Sequence, residues 1–242
     1  MPGIITLRIP RPVAWSLAIG TSPATAADPG YQIKNILATI GNPIRPWRFI
    51  EQSPDHILIA GWNTGHQPDA VNIARFGIEY ERTTRDFATG DTIVMEAEFQ
   101  PTWQTKTLTR DPQDPTIILD KRTHLHDVYG REGQGTSRPK AYLKWFLDKI
   151  ARHETGLSSI TPVSPVNSET DRVIRKLAGK TCRLVTTPRA SLRFTARIED
   201  SRTATTFITN GIGRGKAFGY ASILPVDFID SFKAPEKIND AA

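Results

Sequence analysis

Apolar residues recur along this chain with two different periods, and the switches between them mark out its elements. "IITLRIP" (4–10) is a short strand closed by Pro10. In "YQIKNILATIG", Ile33, Ile36, Leu37 and Ile40 fall at helical spacing and Gly41 stops the helix. Tyr31 and Lys34 share one flank of that helix, because residues three apart are neighbours on a helical surface. "WRFIEQ" and "HILIAGW", separated by Ser-Pro-Asp, give strand, turn and strand. "QPDAVNIARF" is a short helix with proline near its first turn. "DTIVMEAEFQP" (91–101) alternates Ile93, Met95, Ala97 and Phe99 against polar neighbours, as a half-buried strand does. The predicted order is β-α-β-β-α-β, the ferredoxin-like unit, and it assigns residues 1–101 to a first domain.

From 102 to 139 the periodicity dissolves into Thr, Asp, Pro, Gly and basic residues, which reads as a linker or insertion arm. "AYLKWFLDKIARHE" then places Leu143, Phe146, Leu147 and Ile150 on one face of an amphipathic helix. "SITPVSP", "TCRLVTT" and "SLRFTARIED" are strand-like, and Asp200 or Ser201 can cap the helix "RTATTFITN". Gly211 lies just past that helix, where a left-handed residue is wanted. "FGYASILPVDF" is the last strand. Residues 140–242 thus repeat the plan, and the predicted fold class is α+β with two tandem ferredoxin-like (RRM-like) domains.

Composition narrows the function. Among 242 residues, 31 Lys and Arg against 25 Asp and Glu leave a net charge of +6, a pointer to a polyanionic partner. One cysteine, Cys182, excludes an intrachain disulfide framework and a cysteine-rich zinc site. Five scattered histidines contain no HExxH, so neither a metal nor another cofactor is expected. No stretch approaches the ~20 apolar residues that span a bilayer. "RIPRPVAWSLAIGTSPATAA" imitates a signal peptide, but its apolar patch is short and broken by Ser16, and the residues before it read as a strand. A cytoplasmic protein is expected.

"NGIGRGKAFGYASILPV" carries the chemistry. It is no dinucleotide fingerprint, because its glycines follow a helix and precede a strand, the reverse of the order that puts pyrophosphate on a helix N-terminus. It is no Walker A loop either, since Ala217 stands where a magnesium-binding hydroxyl belongs. A glycine loop in this order can still press backbone amides against phosphate, with Arg214 and Lys216 adding charge, or be a tight turn and no more.

The run "GIGRGKAFGYASILPV" resembles the C-terminal glycine-rich signature of the RAMP superfamily of CRISPR-associated proteins. More narrowly, it is similar to the CasE-like pre-crRNA endoribonucleases of type I-E systems and their type IV relatives. "DSRTATTFITN", "YLKWFLDKIARHETGLSSITPVSP", "MEAEFQPT" and, in position, "YQIKNIL" extend the likeness over most of the chain. The resemblance implies two ferredoxin-like domains that bind a CRISPR repeat stem-loop and cut at the 3′ base of the stem without metal. The products implied are a 2′,3′-cyclic phosphate and a 5′-hydroxyl, with the enzyme staying on mature crRNA beside the other Cas subunits of an effector complex.

Metal-free RNA cleavage needs a base for the 2′-hydroxyl, charge on the phosphorane and an acid for the 5′-oxygen. In the family the first helix carries Tyr and, three residues later, His; here the pair is Tyr31 and Lys34. Lysine is a poor base unless desolvated or set beside other cations, but a good clamp for a phosphorane. The expected catalytic set is therefore Tyr31, Lys34, Arg48 and Lys216, with His124 and His126 as rival proton-transfer groups on one face of a strand. The expected RNA-binding set is Arg45, Lys121, Arg122, Arg131, Arg138, Arg175, Arg193, Gly211, Gly213, Arg214, Gly215 and Gly219. It draws on the basic arm, the glycine loop and the run "DRVIRKLAGKTCRLVTTPRASLRF". A non-catalytic crRNA-binding subunit is the alternative, encouraged by the missing histidine.

Overall fold

Ile5, Leu7 and Ile9 point to one side of the first strand while Ile4 points to the other, and that alternation sets one sheet between two cores. The structure is a computed structural model that describes residues 2–19, 28–110, 112–114, 116, 118–132, 135–176 and 182–233. Its first unit runs β1 (Gly3–Pro10), α1 (Arg11–Ile19), α2 (Pro29–Thr39), β2 (Ile44–Gln52), β3 (His56–Asn63), α3 (Ala70–Arg75) and β4 (Glu79–Thr84). The sheet order is β2-β3-β1-β4, antiparallel throughout. Helix α2 begins where Asp28 Oδ1 accepts from the Tyr31 N–H at 3.1 Å, with Pro29 in its first turn. Ile33, Ile36, Leu37 and Ile40 cover Ile5, Leu7, Ile57 and Ile59.

Two expectations for this unit change. The apolar patch from Val13 to Ile19, within the stretch that imitates a signal peptide, lies in helix α1, which packs Ala14 into the first core; residues 20–27 lie outside the described residues. The fourth strand is "EYERTT", not "DTIVMEAEF". An edge strand of this kind carries charges toward solvent and has no apolar period to betray it.

The strand β5 (Thr92–Phe99) pairs with β10 (Cys182–Ile198) and β11 (Ile223–Pro225), so it opens the second sheet instead of closing the first domain. The second unit then runs β5, α5 (Arg138–Ala151), β8 (Leu157–Pro162), β10, α6 (Ser201–Asn210) and β11, with sheet order β11-β5-β10-β8. Both sheets share the fourth-first-third-second order, so the tandem ferredoxin-like architecture holds. Residues 102–139 are an insertion inside this unit, between β5 and α5. They contain the hairpin β6 (Thr102–Arg110) and β7 (Ile118–Asp127) and the short helix α4 (Val128–Glu132). "TCRLVTT" and "SLRFTARI" are one strand, which continues through Pro188 where β5 no longer flanks it and only β9 (Asn167–Lys176) does. After β11 the chain ends its described part in a one-turn helix, α7 (Val226–Asp230).

Helix α5 buries Ala141, Tyr142, Phe146 and Ile150, a face rotated from the expected one; Leu147 is left exposed. Phe146 packs on Phe99 and Phe194 at ring separations of 5.4 and 5.3 Å, and Ala204 and Ile208 of α6 close the core. The two units meet at Trp62 of β3, buried in the second core with its indole N–H donating to the Ile223 carbonyl of β11 at 2.7 Å.

Replacing Trp62 with Phe deletes this cross-unit hydrogen bond and leaves a void where the larger indole packed. Stability measured by urea denaturation is expected to fall by about 2–3 kcal/mol, and an unchanged midpoint would mean that neither the bond nor the packing of the indole holds the seam.

Candidate functional site

The glycine run joins α6 to β11, and its four glycines all have positive φ: Gly211 at 65°, Gly213 at 89°, Gly215 at 85° and Gly219 at 84°. Side chains are strained there. Space forbids them too. A Cβ on Gly211 would stand 1.7 Å from the Ala221 carbonyl oxygen; one on Gly219 would stand 2.7 Å from the Trp47 ring; one on Gly215 would stand 2.9 Å from the Tyr220 ring. The amides of Gly211, Ile212, Phe218 and Tyr220 already donate to protein carbonyls. Gly211, Gly215 and Gly219, read as RNA-binding, are therefore packing residues, and the loop offers solvent its tip, Gly213 and Arg214. Arg214 is hydrogen-bonded to Gln104 of the hairpin.

Past the tip the chain makes a single 3-10 turn, 216–218, between two left-handed glycines. This turn lies across α2 and β2. Its Phe218 ring meets the Tyr31 ring edge-on at 5.2 Å, and Gly30, buried in the first turn of α2, leaves room for the Phe218 carbonyl, which a Cβ would approach to 3.2 Å. The Lys34 ammonium sits 5.1 Å from the Phe218 ring centre and 5.5 Å from that of Tyr31. Arg45 is exposed on β2, and its charge reaches Lys216, which is half-buried at the head of the turn. Burial first, then Arg45, holds the Lys216 ammonium below the usual lysine range. Among the described residues no salt bridge engages Lys34, Arg45 or Lys216. Tyr31, Lys34, Arg45 and Lys216 thus converge from three elements of both units. Phe218, which ties them together, was missed; the aromatic inside "GKAFG" was the signal for it.

Arg48 does not join them. Its neighbour Trp47 faces α2, and alternation turns Arg48 to the second sheet, where its guanidinium meets Glu96 at 2.7 Å and Glu98 at 3.3 Å. Arg193, expected on RNA, is likewise tied to Glu96 at 2.8 Å and Asp230 at 2.6 Å. Arg189 reaches Glu98 at 3.0 Å and Asp171 at 3.8 Å, and Asp171 accepts from the Tyr220 hydroxyl at 2.7 Å. Burial pushes the Glu96 carboxyl up, but Arg48 and Arg193 beside it hold it below the usual range. Burial and the Asp171 carboxylate raise the Tyr220 phenol well above its ordinary value. Beside this lattice opens a crevice of 240 Å³, lined by three glutamates (Glu96, Glu98, Glu169) against two arginines (Arg48, Arg189), a poor seat for phosphate. Arg48 ties the first unit to the second, and Arg193 is committed to ion pairs inside the second unit.

The hairpin carries the other candidates. His124 and His126 share a face of β7, as expected, with rings 6.3 Å apart. His126 stacks on Trp103 at 4.6 Å and bonds Thr105 at 2.9 Å, and Arg131 lies over the Trp103 ring at 5.8 Å. Arg138 is drawn to the hairpin root, 5.0 Å from the Tyr129 ring centre and 3.7 Å from Asp127. For Lys121, Arg122 and Arg175 only the backbone is among the described residues, and Lys180 lies outside them. Among the described residues no cluster of His, Cys, Asp and Glu could hold a metal, and no helix is long and apolar enough to cross a membrane.

A family model described as CRISPR associated protein matches residues 47–221. No curated protein matches the sequence significantly. Three solved structures share the fold. CRISPR endoribonuclease Cse3 bound to a 19-nucleotide RNA is 13% identical with a TM-score of 0.55, over 91% of this chain and 98% of that one. CRISPR-associated Cas6e from Escherichia coli K-12 is 13% identical with a TM-score of 0.53, over 93% and 100%. Thermus thermophilus Cse3, bound to an RNA representing a pre-cleavage complex, is 12% identical with a TM-score of 0.53, over 92% and 98%.

Two outcomes follow from this geometry. Because the Glu96 carboxyl is depressed in the folded state, its contribution is present above the ordinary glutamate value of 4.5 and is lost as pH falls through the folded value. Urea midpoints should therefore drop on acidification, and Glu96→Gln should flatten that fall; an equal fall in both proteins would clear Glu96 of the role. Gly211→Ala adds about 1–3 kcal/mol of backbone strain to its clash with Ala221, which a lowered Tm would report.

Proposed function

The chain belongs to the family of CRISPR-associated proteins, and from that we propose that it is a metal-independent endoribonuclease acting on the CRISPR repeat stem-loop. It cleaves the precursor at the 3′ base of the hairpin, leaves a 2′,3′-cyclic phosphate and a 5′-hydroxyl, and stays with the mature RNA in the effector complex. The observation that carries this reading is the convergence of Tyr31, Lys34, Arg45 and Lys216 at the turn 216–218: a phenol and three cations that meet no carboxylate among the described residues. The charges of Arg45 and Lys216 repel one another, and a phosphodiester relieves that repulsion. The fold shared with Cse3 and Cas6e, themselves described as a CRISPR endoribonuclease and a CRISPR-associated protein, agrees with it.

In this site the 2′-hydroxyl attacks the adjacent phosphorus as it loses its proton, the O2′–P bond forms, and the P–O5′ bond breaks as the 5′-oxygen gains a proton. Tyr31 orients the attacking hydroxyl. Lys34 and Arg45 meet the charge that grows on the non-bridging oxygens, where a fixed cation acts most strongly in the transition state. The exposed tip at Gly213 and Arg214, the Trp103–His126 stack and Arg131 extend the surface toward the hairpin, reading shape and phosphates instead of base edges.

The test is cleavage of the cognate repeat RNA in excess EDTA. Wild type is expected to cut, and Lys34→Ala to cut about 10²-fold more slowly, with affinity weakening steeply between ~50 and ~200 mM salt. Cleavage abolished by chelator would overturn metal independence. Undiminished cleavage by Lys34→Ala would remove Lys34 from the site, and tight binding by a wild type that never cuts would leave a crRNA-binding subunit.

A further inference from the structure

The cleft holds two lysines in opposite surroundings, and such a pair divides into a proton carrier and a fixed charge. Lys34 is exposed and stands over two aromatic faces, those of Phe218 and Tyr31. The ring quadrupoles attract the ammonium and hold it in place. Lys216 has lost much of its water at the head of the 216–218 turn, and the charged group that faces it from β2 is Arg45, another cation. Its backbone cannot drift away, because Gly215 and Gly219 bracket the turn in left-handed conformations pressed against Tyr220 and Trp47.

We propose that Lys216 is the general acid of the reaction, donating its ammonium proton to the departing 5′-oxygen while Lys34 supplies unchanging charge. The proposal rests on the nuclease reading above and gives that site a division of labour. As the O2′–P bond forms and the 2′-hydroxyl proton passes to water, the P–O5′ bond breaks. The Lys216 proton moves to O5′ and leaves a neutral amine, which regains a proton from solvent. Its half-buried place at the head of the turn, with Arg45 as charged neighbour, lowers the hold of Lys216 on its proton, which suits it to donate. Arg45 cannot take the part, since a guanidinium does not give up its proton in a protein.

A matched pair of substrates tests this: the cognate repeat hairpin with its natural scissile 5′-oxygen, and the same hairpin with sulfur in place of that bridging oxygen. A thiolate leaves without being protonated, so a missing acid no longer matters. Lys216→Ala is expected to cut the oxygen substrate about 10²-fold more slowly than wild type and the sulfur substrate at close to the wild-type rate. Lys216→Arg, which keeps the charge, should show the same selective defect. Lys34→Ala should slow both substrates alike. Affinity for a hairpin with a 2′-deoxy scissile nucleotide verifies that each variant is folded and binds. If wild type cuts both RNAs and Lys216→Ala slows both equally or neither, the acid assignment is wrong while the nuclease reading stands. A wild type that cuts neither overturns both.

Discussion

The α-carbon of Gly211 faces the Ala221 carbonyl so closely that no side chain fits between them, and the same exclusion recurs at Gly219 against Trp47. Ala221 belongs to the approach to β11 and Trp47 to β2, so the loop is gripped on one side by the second sheet and on the other by the first. Everything at the site depends on that grip. It fixes the 216–218 turn, which carries Lys216 toward Arg45 and Phe218 onto Tyr31, and it does so without spending any of the loop's own side chains on the contact. Glycine in this run therefore buys close approach between two parts of the protein. The two residues at the tip, Gly213 and Arg214, stay open to solvent.

Charge is partitioned across the seam in two different ways. On the side of the second sheet, Arg48, Arg189 and Arg193 are matched by Glu96, Glu98, Asp171 and Asp230, and several of these groups are largely withdrawn from water. Buried pairs of this kind add little net stability over apolar packing, but losing one partner is costly because the other is stranded. The lattice is thus a device for alignment: it admits one placement of β2 against β5. A few residues away on the same strand, Arg45 is exposed beside Lys216, and among the described residues no salt bridge engages it. One β-strand holds a cation committed to structure and another open to solvent, and the alternation of its side chains decides which is which.

Much of the fold was legible in the sequence because local signals and tertiary roles agreed. Helix α2 has its capping aspartate, its first-turn proline and its apolar stripe; α6 has Asp200 accepting from the Thr203 N–H at 2.7 Å and Gly211 at its end. What failed were pairing and partnership. Alternation in "TIVMEAEF" identifies a strand but cannot say which sheet it joins, and the polar β4 offered no period at all. "TCRLVTT" and "SLRFTARIED" were read as separate segments of what is one continuous strand, because nothing local reveals that β5 has already ended beside Pro188. Arg48 and Arg193 were read as free cations because their carboxylates lie about 48 and 37 to 97 positions away along the chain. The site's outline was better served: Tyr31, Lys34, Arg45 and Lys216 were all singled out, while Phe218 was lost because a lone aromatic announces nothing until its neighbours are known.

A lysine where the resemblance places a histidine alters what the remainder of the site has to provide. Imidazole can carry charge or exchange a proton near neutrality, so one residue can serve both needs. In the proposed reaction Lys34 supplies charge, so proton exchange falls to another group. The half-buried head of the 216–218 turn, with Arg45 as its charged neighbour, is the place proposed for it. It exists only because the glycines let the turn press that far into the seam. The packing of the loop and the chemistry of the cleft are therefore one constraint: the contact that excludes a side chain at Gly219 also anchors the turn on which Lys216 is half-buried.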